Sequence, residues 1–252
     1  MFVVRNHARG LWSIQKEIVQ RLQELADPEV AVTTQKFFPE PVDCFGVRAA
    51  ELRALSREIY SKIELDWKID QVLELAEALF VRPELEARSC GLLVLSRFNS
   101  ELDRRRLNKI RSWLKKGYLD NWALIDTLSL EVLGPFFRKN PAELNILETW
   151  ALDSHPAVRR AALVSLVKLS GDSKNLNLIF KMVRAAVLPD GANGLVAKAA
   201  GWLLREAGKT DRHSLEKFLL TYGKTLPRVT VRYALEKFAP GRRDYIMKKT
   251  KS

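Results

Sequence analysis

Apolar residues recur three and four positions apart along almost the whole chain, and no stretch alternates apolar and polar residues convincingly as a strand does. Leu11, Ile14, Ile18, Leu22 and Leu25 mark a first amphipathic helix, closed by Asp27-Pro28. Residues 31–45, which include Pro39 and Pro41, read as a linker or an irregular helix. Helical pattern resumes near Val47 and runs to about Ile63. Further helices are expected over 66–81, 84–98, 101–116, 121–138, 142–152, 155–169, 174–187, 193–208, 212–222 and 228–238. Pro189-Asp190-Gly191 is a turn signal. The expected class is all-α.

Short helices in succession suggest a helix-pair repeat. Four segments share an order of residue types: Ala87-Arg88-Ser89-Cys90-Gly91-Leu92, Arg159-Arg160-Ala161-Ala162-Leu163, Ala197-Lys198-Ala199-Ala200-Gly201 and Val231-Arg232-Tyr233-Ala234-Leu235. A basic residue is followed by small ones and then by an apolar stretch. The small residues let neighbouring helices approach closely. With the cations at 88, 160, 198 and 232 as register, the gaps are 72, 38 and 34 residues. The first gap is two periods of 36, so the series fits repeats of the TPR, HEAT and armadillo type. The expectation is a HEAT-like helical-repeat solenoid, one domain over residues 1–252, ending in a basic C-terminal tail at 241–252.

In a solenoid, equivalent positions line up on one surface. Arg88, Arg160, Lys198 and Arg232 are therefore expected as a basic stripe on the concave face. The plainer alternative is that each cation lies over its own helix. The chain carries 42 Lys+Arg against 30 Asp+Glu, a net charge of +12. That excess and the spacing suit an extended polyanion better than a compact ligand.

Position 124, one period after 88, should hold a fourth cation. The chain there reads Asp120-Asn121-Trp122-Ala123-Leu124-Ile125-Asp126. Trp122 and Asp126, four apart, share a helix face, as do Lys198 and Trp202. An acid within a basic track opposes polyanion binding unless it has a task. Trp122, Asp126, Arg160 and Trp202 are expected to converge on one groove. Taken singly, either tryptophan reads as core, and Asp126 as a surface residue or the partner of an arginine such as Arg160.

These residues resemble a known family. Asn121-Trp122-x-x-x-Asp126, Arg159-Arg160-Ala161-Ala162 and Lys198-Ala199-Ala200-Gly201-Trp202-Leu203-Leu204-Arg205-Glu206 are similar to the motifs of the AlkD-type DNA alkylation repair glycosylases. Phe45-Gly46-Val47-Arg48 resembles that family's entry to its second helical segment, and Leu226-Pro227-Arg228 through Phe238 its last repeat. The resemblance covers roughly residues 10–240. It implies a HEAT-like α-solenoid cradling duplex DNA. It implies hydrolysis of the N-glycosidic bond of N3- and N7-alkylated purines, with neither metal nor cofactor. It assigns Asp126 as the catalytic carboxylate, Trp122 as the DNA-contacting tryptophan beside it, Arg160 as a contact to the lesion's backbone and Trp202 as the second tryptophan of the cleft. Ala123 departs from the pattern, since many relatives carry an aspartate there. Residues 31–45 show few features that match.

The chemistry fits the residue types. An N3- or N7-alkylpurine is already cationic and leaves without a general acid. The demanding part is the oxocarbenium-like sugar, which a carboxylate stabilises while positioning or deprotonating water. Asp126 should then act ionised. Tryptophan faces attract cations, at about 0.5–2 kcal/mol per contact, so the loss of Asp126 should hurt more than the loss of either tryptophan. Phosphate contacts are expected from Arg88, Arg160, Lys198, Arg205 and Arg232, with Arg228 nearby. The tail residues Arg242, Arg243, Lys248, Lys249 and Lys251 read as a solvated terminus at least as readily as a DNA contact. Arg104, Arg105 and Arg106, near Arg111, Lys115 and Lys116, read as a solvated face.

Other classes are excluded by composition. Two cysteines, Cys44 and Cys90, cannot build a disulfide framework or a cysteine-rich zinc site. Three histidines, none in an HExxH arrangement, argue against a metal centre. No apolar run approaches membrane-spanning length, and the start is too short for a secretion signal. The expectation is a monomeric cytoplasmic enzyme acting on alkylated double-stranded DNA. The alternatives are a non-catalytic HEAT-like binder of damaged or branched DNA, and an array that binds acidic protein.

Overall fold

The computed structural model of the chain describes residues 2–187 and 193–251. Every regular element among the described residues is helical, as the apolar period requires, and the fold is an all-α helical repeat. The turn expected at Pro189-Asp190-Gly191 lies outside the described residues. The helices group into two compact units, Met1–Lys109 and Ile110–Ser252.

The first unit holds α1 (Phe2–Glu24), α2 (Pro28–Gln35), α3 (Ala49–Ile63), α4 (Ile69–Phe80), α5 (Leu85–Leu95) and the first turns of α6 (Arg104–Lys115). Helix α5 is its centre. All of its residues are buried, and α1, α3 and α4 pack around it. Gly91 permits the close approach of α4, since a Cβ there would lie 3.2 Å from the Cα of Ala76. Cys90 is enclosed on the same helix, and burial pushes its thiol up to about 12. It is a packing residue and not a nucleophile.

The stretch 31–45, expected as a linker or an irregular helix, is helical to Gln35 and irregular beyond it. Helix α1 ends at Glu24, and Asp27 starts α2, its side chain accepting the amides of Glu29 (2.9 Å) and Val30 (3.3 Å) with Pro28 at the first helical position. Asp-Pro is a helix-start signal as well as a stop, so residues 31–35 remain helical. The irregular stretch beyond is tied down by Glu86 on α5. This buried carboxylate accepts the amides of Phe45 (3.0 Å), Gly46 (2.9 Å) and Val47 (3.1 Å). Gly46 has φ +80°, and a Cβ there would lie 2.1 Å from the Asp27 carbonyl oxygen. Both its backbone and its surroundings demand glycine.

The second unit holds the end of α6 and then α7 (Trp122–Thr127), α8 (Gly134–Lys139), α9 (Leu144–Ala151), α10 (Pro156–Ser165), α11 (Leu176–Val187), α12 (Gly194–Thr210), α13 (Arg212–Tyr222), α14 (Arg228–Ala234) and α15 (Pro240–Lys249). Helix α10 is the centre here, buried from Ala157 to Ser165. It packs against α7, α9, α11 and α12, and α12 packs in turn against α11, α13 and α14. Helices α12 and α14 meet at Gly201, where a Cβ would lie 2.5 Å from the Cβ of Tyr233 and 2.8 Å from the carbonyl oxygen of Thr230. The Thr230 hydroxyl donates to the Ala197 carbonyl at 2.8 Å. Helix α7 passes through a π-helical turn, Leu128–Leu133, before α8 begins.

Of residues 241–252, expected as a basic tail, those up to Lys249 are helical. Pro240 opens α15, Ile246 is fully buried, and α15 packs on α13. Arg242 pairs with Glu216. Among the described residues no helix is long and apolar enough to cross a membrane.

Candidate functional site

Helix starts set the geometry of the second unit. Arg160, Lys198 and Arg232 are each the fifth residue of their helices, α10, α12 and α14. Asp126 is the fifth residue of α7. The gap expected at position 124 is therefore misplaced by two. Asn121 caps α7, its side-chain oxygen accepting the amides of Ala123 and Leu124 at 3.1 Å each. That cap puts the equivalent position at 126. An acid occupies the place that three later helices give to a cation.

The consequence is a direct pair between neighbouring repeats. Arg160 Nε donates to Asp126 Oδ1 at 2.9 Å, and Nη2 donates to Oδ2 at 2.7 Å. Nη1 of the same guanidinium donates to the Leu195 carbonyl at 2.6 Å. Asp126 is 8% exposed and Arg160 6%. Burial pushes the Asp126 carboxyl above the ordinary aspartate range, while the hydrogen bonds and charge of Arg160 oppose that shift. The fork geometry fits a carboxylate, since two parallel N–H donors need two accepting oxygens.

Trp122 opens α7 one turn before Asp126 and is 37% exposed. Trp202 is half-buried on α12, seven residues beyond Leu195 and so about 10 Å along the helix from the carbonyl that Arg160 holds. Since α10 packs against both α7 and α12, the four residues expected to meet belong to one helix stack.

The basic stripe divides. Lys198 and Arg232 are exposed, and Arg228 is exposed while donating to the Met247 carbonyl at 2.7 Å. Arg160 and Arg88 are buried, because α10 and α5 are the enclosed helices of their units. Arg88 donates to the Pro83 carbonyl at 3.0 Å. Arg205 pairs with Glu236 and Glu206. In the cluster read as a solvated face, Arg105 and Arg106 both bond Asp70, and Arg106 also bonds Asp103.

A family model described as DNA alkylation repair enzyme matches residues 18–238. The chain belongs to that family. Its role in DNA alkylation repair, with DNA as partner, follows from that membership, and Trp122, Asp126, Arg160 and Trp202 all lie within the matched residues. A solved structure described as a predicted DNA alkylation repair enzyme from Enterococcus faecalis shares the fold. Its TM-score is 0.74 at 18% identity, over 85% of this chain and 97% of that one. No curated protein matches the sequence.

Asp153 is a member of the alkylation repair scaffold that the sequence reading missed. It is buried between α9 and α10 and accepts Arg111 Nε at 2.8 Å and the His155 amide at 2.8 Å. Burial works to raise its pKa, but the His155 amide, Arg111 and Lys115 prevail and hold the carboxyl below the usual range. Its pairing anchors the entry to α10, the helix that carries Arg160. Arg111 is 42 residues distant, so no local spacing announces the contact.

Proposed function

We propose that the chain is a DNA glycosylase hydrolysing the N-glycosidic bond of N3- and N7-alkylated purines in duplex DNA. Family membership supports alkylation repair. The observation that carries the finer reading is Asp126, a buried carboxylate in the register of a cationic series and one turn from a partly exposed tryptophan.

Exposed Lys198 and Arg232 hold phosphates. The duplex brings a phosphate toward Arg160, which competes with Asp126 for the guanidinium. As that fork loosens, the Asp126 carboxylate becomes available to the sugar. The cationic base leaves with the bonding electrons as a neutral purine, Asp126 stabilises the oxocarbenium-like sugar, and a water adds to that sugar while passing its proton to the Asp126 carboxylate. Trp122 and Trp202 flank the sugar and exclude other water.

Duplex DNA containing 7-methylguanine, incubated with chelator and no added metal, tests this. The native chain is expected to release the base, and Asp126→Asn to do so at least about 100-fold more slowly. Equal release by both would remove Asp126 from the catalytic role. Duplex affinity should fall steeply with salt, and Lys198→Gln should reduce the slope by about one.

One observation favours a second reading, a non-catalytic binder of damaged or branched DNA. The charge of Asp126 is already compensated by Arg160. A binder of this kind would hold duplex with the same salt dependence and release no base.

A further inference from the structure

A groove of about 700 Å³ lies between α11 and α13, helices that contribute no residue to the Asp126 site. Its floor is aromatic. Phe180 and Phe218 stack nearly parallel, with centroids 4.6 Å apart and planes 12° from each other. Phe218 is buried beneath, and Phe180 is half-buried at the groove surface. The Arg184 guanidinium lies 4.0 Å from the ring centroid of Tyr222, a second flat surface beside the first.

The walls are cationic. Arg184 and Lys217 line the groove, are exposed, and form no ion pair among the described residues. Lys181, at the same edge, carries its counterion in Glu148. Among the described residues no carboxylate lines the groove. That charge suits an anionic occupant, and two adjacent flat surfaces suit planar rings.

We infer that the α11–α13 groove binds single-stranded nucleic acid, bases lying on Phe180 and on the Arg184–Tyr222 pair, and phosphates meeting Arg184 and Lys217. Base stacking on aromatic and arginine planes within a cationic groove is the general mode for such strands, and it is independent of sequence. The volume is that of a small-ligand pocket, with room for a short single strand and not for a duplex. An acidic peptide would satisfy the cations but has no use for paired flat surfaces.

Fluorescence anisotropy with a labelled oligothymidylate of about 12 nucleotides, in excess undamaged duplex, tests the inference. The native chain is expected to bind it. Phe180→Leu and the pair Arg184→Glu, Lys217→Glu should each weaken binding roughly tenfold or more, and Phe180→Tyr should retain it. An abasic oligomer of the same length should bind much more weakly than the thymidylate. Equal binding of the two oligomers, an unchanged affinity in Phe180→Leu, or displacement by polyglutamate at equal concentration would overturn it. Release of 7-methylguanine from duplex should be the same in native and groove variants. A chain that released no base but still bound the strand would refute the glycosylase reading and leave this one standing.

Discussion

The two oxygens of Asp126 each accept one N–H from Arg160, and the two residues hold the same place in successive repeats. The pair is 34 residues apart in sequence and enclosed by the helices around α10. Its chemistry therefore bears on stability as well as on the proposed function.

Arg160→Leu should destabilise the second unit by about 3–5 kcal/mol, because it leaves a buried carboxylate without its partner. Asp126→Leu combined with it should recover most of that loss, since an apolar pair requires no desolvated charge. Urea unfolding of the two single variants and the double variant measures the coupling. Strictly additive losses would mean that the pair makes no energetic contribution as a pair.

Burial sets the pH at which Asp126 takes up a proton. With its carboxyl above the ordinary aspartate range, protonation begins at a higher pH than for an exposed aspartate. Single-turnover release of 7-methylguanine should lose rate on acidification through a limb above that of an ordinary aspartate, about 3.9. Arg160→Gln removes the group opposing the shift and should move the limb further toward neutral pH. Identical limbs in the two proteins would assign the titration to another group.

Asp153 should act on stability in the opposite sense. Its folded pKa is depressed, so its contribution is present above the unfolded value of about 3.9 and is lost as pH falls through the folded one. Asp153→Asn should lower the urea midpoint at pH 7, with the gap to the native chain closing below about pH 4. A gap independent of pH would identify the loss as one of packing.

Gly201→Ala should force α12 and α14 apart, since the added Cβ meets Tyr233 at 2.5 Å and the Thr230 carbonyl at 2.8 Å. A cost of about 2 kcal/mol is expected, or a fall of roughly 4–8 °C in Tm. Calorimetry checks it. A Tm within a degree of native would show that Tyr233 yields without moving the helix.

The repeat in the second unit was legible because Arg160, Lys198 and Arg232 sit at a fixed distance from their helix starts, and that distance survives in linear spacing. Asp126 was found but misregistered, since the Asn121 cap that fixes its position lies outside a count of periods. The burial of Arg88 and Arg160 was hidden for another reason. Whether a cation faces solvent depends on how many helices surround its own, and a single helix does not carry that number. Glu86 escaped notice because one carboxylate collecting three amides from residues 39 to 41 positions away leaves no local pattern. Helix α15 buries little beyond Ile246, so its apolar signal is weak, although Pro240 marks its start.

Arg160 grips α7 through Asp126 and α12 through the Leu195 carbonyl while rooted in α10. It works as a rivet through three plates. An anion that drew away one of its N–H groups would loosen a fastening that α7 and α12 share. The acid and the helix bearing Trp202 are thus tied to one guanidinium.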